Sequence, residues 1–146
     1  MGGTVSLNDS LIMMVDDEPI MIDLIQFFLE DAGYQNFLGQ SDSVYAVDLV
    51  HKRKPDLLLL DLVMPDVNGF EVLQSLRGND FTKHLPIIVL TSSSDAETKL
   101  KALELGATDF LAKPVDPSEL VLRVRNILTV KAYQDRLAYT DQLTGL

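Results

Sequence analysis

Five polar residues stand where this chain could do chemistry: Asp16, Asp17, Asp61, Thr91 and Lys113. Each follows an unbroken or nearly unbroken apolar run. Asp16 and Asp17 come after Leu11 to Val15, Asp61 after Leu57 to Leu60, Thr91 after Ile87 to Leu90, and Lys113 just past Asp109 to Leu111. Carboxylates gathered at about 4 Å oppose one another by roughly 4 kcal/mol per ionised pair at an effective dielectric of about 20, so a shared pocket must take up protons or a cation. Only oxygen donors are on offer. The chain has no cysteine, and His51 and His84 are isolated without ligand spacing. That donor set favours a hard divalent ion such as Mg2+, holding several waters. With a carboxylate nucleophile, a hydroxyl donor and an ammonium added, the five residues are equipped to accept and hold a phosphoryl group. Singly, each has a plainer reading as a helix cap, a first-turn acid, a turn residue or a surface lysine. Their coincidence at four apolar run ends is what argues for one site.

The elements that must position them follow from the pattern between the runs. Short apolar runs without polar alternation suit strands buried on both faces of a parallel sheet. Ile22, Ile25 and Leu29 recur at helical spacing until Gly33, a stop signal, and Tyr34 to Gly39 reads as a short second strand. A helix is expected from about Asp42 to Lys52, closed by Pro55. After the third strand, Pro65 and the Asn68–Gly69 pair force a loop, and a helix from about Gly69 to Arg77 uses Leu73 and Leu76. Ser94 with Glu97 three residues on forms a capping box for a helix carrying Leu100 and Leu103 inward until Gly106. Asp116, Pro117 and Glu119 supply an N-cap, a first-turn proline and a first-turn acid for the last helix.

Five strands alternating with five helices imply right-handed crossovers, hence an α/β, doubly wound five-stranded parallel sheet with helices on both faces. In the order 2-1-3-4-5 the switch point lies between strands one and three, where Asp16, Asp17 and Asp61 end up. The last helix continues past Leu128 through Val130, Tyr133 and Leu137 with no Gly or Pro until Gly145. It reads as an extended C-terminal linker or dimer helix with a short apolar seam.

Bulk properties exclude several classes. At 146 residues, 47% hydrophobic and 23% charged, the chain suits one domain with a proper core. A net charge of -10 and a pI near 4.4 repel phosphate backbones on average and argue against direct nucleic-acid binding. No apolar run approaches the roughly 20 residues of a membrane helix, and no secretory signal opens the chain. A soluble, cytoplasmic protein with no membrane partner is expected. Met1, Gly2 and Ser6 formally fit a myristoylation pattern, but nothing basic follows to supply a second membrane signal, so residues 1–9 are taken as a flexible leader.

The segments VDDEP, DLVMPDVNGFE, LTSS and DFLAKPVDP, at four successive sites from Val15 to Pro117, resemble the receiver domain of two-component response regulators. The resemblance covers about residues 10–128. It implies that Asp61 is phosphorylated by a histidine kinase or phosphotransfer protein. It further implies that Asp17, Asp61 and the backbone carbonyl of Val63 bind Mg2+ directly while Asp16 holds a metal-bound water. Thr91 and Lys113 would contact the phosphoryl oxygens, and the bond before Pro114 would be cis. Phe110 occupies the place of the switch aromatic that acts with Thr91; lacking a hydroxyl, it differs from members whose output uses a phenol hydrogen bond. The expected output is a homodimer through the face of the fourth helix, fifth strand and fifth helix, together with the C-terminal helix. The terminal DQLTGL, Asp141 to Leu146, looks like the start of a diguanylate cyclase (GGDEF) domain, which would make residues 129–146 a linker helix and the first residues of a truncated output domain. No cyclase active site lies within these residues.

Besides a stand-alone receiver with another output, two rivals from other classes remain at this level. Haloacid-dehalogenase-like phosphohydrolases want a second Asp two positions after the nucleophile, where Val63 stands. A flavodoxin-like nucleotide or flavin binder needs a phosphate-cradling loop after the first strand, where this chain places acids.

Overall fold

The computed structural model describes residues 7–92 and 95–144, with side chains as far as Ala138. Three unbroken apolar runs become the central strands β1 (Leu11–Val15), β3 (Leu57–Asp61) and β4 (Ile87–Thr91), nearly all of whose residues are buried. The half-exposed β2 (Asn36–Gln40) and β5 (Asp109–Ala112) take the edges. All pairings are parallel, in the order β2-β1-β3-β4-β5, as expected.

Because strand side chains alternate faces, each central strand feeds two cores. Ile12, Met14, Leu57, Leu59, Ile88 and Leu90 face α1 (Pro19–Asp31) and α5 (Pro117–Thr144). Met13, Val15, Leu58, Leu60, Ile87 and Val89 face α2 (Ala46–Arg53), α3 (Gly69–Arg77) and α4 (Ala96–Glu104). Burying a leucine fully contributes about 1.5–3 kcal/mol, so this double-sided burial dominates the stability.

Several boundaries differ from the sequence expectation, each for a local reason. Residues 7–9, expected within a flexible leader, form a short three-ten turn whose Leu7 packs on the first core and whose Asn8 carbonyl accepts the Gln35 N–H. Tyr34 precedes β2 rather than starting it. Gly33 sits at φ 103°, and the Gly33 and Tyr34 amides donate to Glu30 and Leu29, closing α1 in a Schellman turn with Tyr34 buried beside Leu29. The second helix begins as a three-ten turn, Ser43–Tyr45, capped by the Asp42 side chain, before becoming α2. Lys54, disfavoured in helix by the following proline, adopts φ 49° and ends it.

The clearest correction concerns α4. Its cap is Asp95, which accepts from the Thr98 amide; Ser94, expected in that role, lies outside the described residues. Leu100 and Leu103, expected inside, are 57% and 41% exposed. Ala102 is fully buried and Leu105 packs beside it, so with half-buried Thr98 the inward stripe runs i, i+4, i+7 and has the small Ala102 at its centre. A small residue lets the helix lie close on the sheet, and the leucines turn outward. Leu100→Ser is therefore expected to shift stability by less than about 0.5 kcal/mol, whereas Ala102→Leu should cost about 1–3 kcal/mol by overpacking. Urea unfolding midpoints of the two variants check the assignment.

Beyond Leu128 the inward stripe of α5 ends, and Val130, Tyr133 and Leu137 are exposed. Lys131 ties this overhang to the base of the sheet, contacting Asp56 at 3.4 Å and Asp135 at 2.7 Å. Among the described residues no helix is long and apolar enough to cross a membrane.

Candidate functional site

Parallel strands put all their carboxyl ends on one rim, and the register sets how far each reaches. Val15 pairs with Leu60, Asp61 with Leu90 and Thr91 with Ala112, so the residues that end or follow these strands form one staggered row. Asp16 and Asp61 are buried, the latter only 4% exposed, and Thr91 is fully buried. Lys113 crosses from the far edge. Its Nζ donates to Asp16 Oδ2 at 2.8 Å and lies 3.5 Å from Asp61 Oδ1. The Lys113–Pro114 peptide bond is cis, and the Lys113 amide donates to the Thr91 carbonyl at 2.8 Å.

Asp16 is also fixed from its own side, where its Oδ1 accepts the Glu18 amide at 2.9 Å. Carboxylate oxygens of Asp16, Asp17 and Glu18 lie within 4.8 Å of one another. Asp61 Oδ1 accepts the Val63 amide at 3.3 Å. Four acids thus gather at this rim, and the one ammonium reaches two of them, Asp16 and Asp61. Burial, then the charge of Asp16, pushes the Asp61 carboxyl up to about 6, opposed by Lys113 and the Val63 N–H, with Asp17 adding to the rise. Burial alone would lower the Lys113 ammonium, but its hydrogen bond to Asp16 and the charges of Asp61 and Asp16 hold it above the usual value. Excess negative charge presented by oxygen donors alone fits a hard divalent cation such as Mg2+.

Phe110 stands apart from the acids. On β5 it pairs with Val89 of β4, packs half-buried against the second core, and has Lys99 Nζ 6.0 Å from its ring centre.

Two positioning residues were not singled out from the sequence. Gly69 opens α3 directly beneath the site: its amide donates to the Leu62 carbonyl at 2.9 Å, and an added Cβ would collide with the Asp61 carbonyl oxygen and lie 2.6 Å from Leu62 Cα. The Asn68 side chain caps this helix by accepting the Glu71 amide. Ser43, buried, donates its hydroxyl to the Pro65 carbonyl and accepts the Val67 amide, holding the other side of the loop. The Asn68–Gly69 pair advertises a turn, but nothing local announces that a backbone passes this close. Gly69→Ala is expected to cost about 1–3 kcal/mol. It should also slow any modification of Asp61, because the displaced atoms carry that residue; unfolding midpoints and labelling rates measured together separate this from simple destabilisation.

A family model described as the response regulator receiver domain matches residues 12–125. Among curated proteins, the chain is 38% identical over 117 residues to the phosphate regulon transcriptional regulatory protein PhoB of Pseudomonas aeruginosa, covering 80% of this chain and 51% of that protein. It is equally similar to the DNA-binding dual master transcriptional regulator RpaA of Synechocystis, covering 80% and 48%. The chain therefore spans about half the length of the curated relatives it matches. Among solved structures, the BeF3-activated N-terminal receiver domain of Klebsiella pneumoniae RstA superposes with a TM-score of 0.74 at 30% identity, covering 81% of this chain and 97% of that one. The Vibrio cholerae chemotaxis protein CheY4 superposes with a TM-score of 0.75 at 28% identity, covering 82% and 98%.

Proposed function

The chain belongs to the response regulator receiver family, and on that premise we propose that it is a phosphoacceptor switch in which Asp61 takes a phosphoryl group from a histidine kinase or phosphotransfer protein. The observation that carries this reading is the Lys113 ammonium set between Asp16 and Asp61 at the mouth of the acidic rim. An Asp61 oxygen attacks phosphorus, the bond from phosphorus to the donor imidazole nitrogen breaks, and the nitrogen keeps the electron pair. Asp17, Asp61 and the Val63 carbonyl would hold Mg2+ directly, with Asp16 holding one of its waters; the ion supplies charge neutralisation for the phosphoryl oxygens. Lys113 acts as a point charge on the same oxygens, and Thr91 donates its hydroxyl. Ile20, Leu24 and Phe27, exposed at helical spacing along α1 just past the acids, offer the donor an apolar docking stripe.

Once Asp61 is modified, Thr91 moves toward it, Phe110 fills the space vacated, and the face of α4, β5 and α5 changes shape. Moving a population from 1:99 to 99:1 takes about 5.5 kcal/mol. One charge-assisted hydrogen bond supplies only about 1.5–3 kcal/mol. Lys113 and a homodimer contact supply the remainder. The outward Leu100, Leu103 and Leu122 support dimerisation through that face, and Val130, Tyr133 and Leu137, spaced three and four apart, continue it along α5. DQLTGL supports a diguanylate cyclase as the output in a cytoplasmic protein; its side chains, and its last two residues entirely, lie outside the described residues.

Acetyl phosphate with Mg2+ should add one phosphoryl group to the 146-residue chain, mapped by peptide mass to Asp61, and shift its sedimentation toward dimer. Label on another residue, or none, would overturn the reading.

A further inference from the structure

We propose that the groove between the base of the sheet and the overhang of α5 is a docking site for an acidic, amphipathic protein segment. The groove encloses about 670 Å³, on the side of the molecule away from the acidic rim. Val50, Pro55 and Leu85 give it an apolar lining, and Ala138 lines it from the α5 overhang. Phe81 lines it too, 93% exposed. That exposure is built rather than incidental. The Phe81 amide donates to Asn79 Oδ1 at 2.9 Å, the neighbouring Thr82 hydroxyl donates to the Leu76 carbonyl, and Arg77 holds the Thr82 carbonyl. A turn this well tied down presents its phenyl ring to water.

Charge decides what fits. Lys52, Arg53 and Lys54 form the only three-residue run of Lys and Arg in a chain of net charge -10, and all three are exposed where α2 ends. Lys54 lines the groove from a fixed backbone position, its amide donating to the Val50 carbonyl at 2.8 Å. The opposite wall is fixed as well. Lys131 is held between Asp56 and Asp135, and Asp56 in turn accepts the Leu11 amide at 2.8 Å. A preformed groove spares the partner much of the ordering cost of binding. Its apolar lining asks for apolar anchors, and its basic edge asks for carboxylates beside them.

A long polyanion or an anionic membrane would also meet the strongly negative remainder of the protein. A short segment can set its carboxylates beside Lys54, at the end of the basic run, and its apolar anchors toward the opposite wall, where Asp135 and Asp56 share the Lys131 ammonium; charges more than about 8–10 Å away are screened at moderate salt. An occupant would touch both the sheet base and the overhang, and so bear directly on the direction in which α5 leaves the domain. This inference does not depend on phosphorylation of Asp61.

The test uses the 146-residue chain and a fluorescein-labelled synthetic peptide with Leu at i, i+3, i+4 and i+7 and Glu elsewhere. The peptide should bind, shift the amide resonances of Val50, Lys54 and Leu85, and weaken as salt rises. Phe81→Ser and Lys54→Glu, both at exposed side chains, should each weaken it about tenfold. Any of four results would overturn the proposal: no binding at millimolar peptide, equal binding of a Lys-for-Glu counterpart or of oligoglutamate, stronger binding to phosphatidylserine vesicles, or resonance shifts confined to α1 or α4.

Discussion

Asp61→Asn should yield a protein that is more stable than the parent at neutral pH when metal is absent, yet unable to accept a phosphoryl group. The Asp61 carboxyl is pushed from 3.8 to about 6, first by burial and then by the Asp16 charge. In this window the folded state binds the proton more tightly than the unfolded state does. Stability of the metal-free parent therefore falls as pH rises from about 4 to about 6, and the deficit is complete above that. A shift of about two units corresponds to roughly 3 kcal/mol, and allowing for water at the pocket mouth about 2 kcal/mol is expected. Asn removes the charge while keeping the shape, so the gain should appear as a rise of about 4–8 °C in Tm at pH 7.5 and vanish near pH 4. Mg2+ should stabilise the parent and do far less for the variant. Acetyl phosphate should leave the variant unlabelled. An Asn variant less stable than the parent at pH 7.5 without metal would show that Asp61 is not held among like charges.

Lys113→Met should act in the opposite direction. Its ammonium donates to Asp16 at 2.8 Å and faces Asp61 at 3.5 Å, so removal leaves two buried carboxylates without their cation. Breaking a buried pair from one side typically costs about 3–5 kcal/mol. With Lys113 reaching the rim, about 3 kcal/mol is expected, or roughly 6–12 °C in Tm. The loss should be largest at neutral pH and shrink as acid protonates the stranded carboxyls. Adding Asp16→Asn should recover part of it, and urea unfolding of the two single variants and the double variant measures the coupling. A Met variant as stable as the parent would mean that this ion pair holds nothing together.

Much of this molecule could be read from local pattern. The middle of a strand buried on both faces disfavours polar residues, so Leu11–Val15, Leu57–Leu60 and Ile87–Leu90 stood out, and the first polar residue after each marked the carboxyl end of its strand. Alternation with helices then required a parallel sheet, and a parallel sheet places every such end on one rim. Asp16, Asp17, Asp61, Thr91 and Lys113 were legible for that reason. Where local pattern misled, two readings fit equally well: the α4 leucines have helical spacing, but so do Thr98, Ala102 and Leu105, and only contact with the sheet chose between them.

By itself the sequence determined the strands and the residues at their ends, because these depend on period and burial within a few neighbouring positions; the order β2-β1-β3-β4-β5 is a matter of which distant segments pair. Only the tertiary structure decided that Lys113 hydrogen-bonds Asp16, 97 residues away, and merely approaches Asp61. It alone brought Gly69 against the Asp61 backbone and carried α5 past the base of the sheet to wall a groove with Phe81. Those relations arise from strand register and close packing between segments far apart in the chain, which leave no periodic trace in either segment.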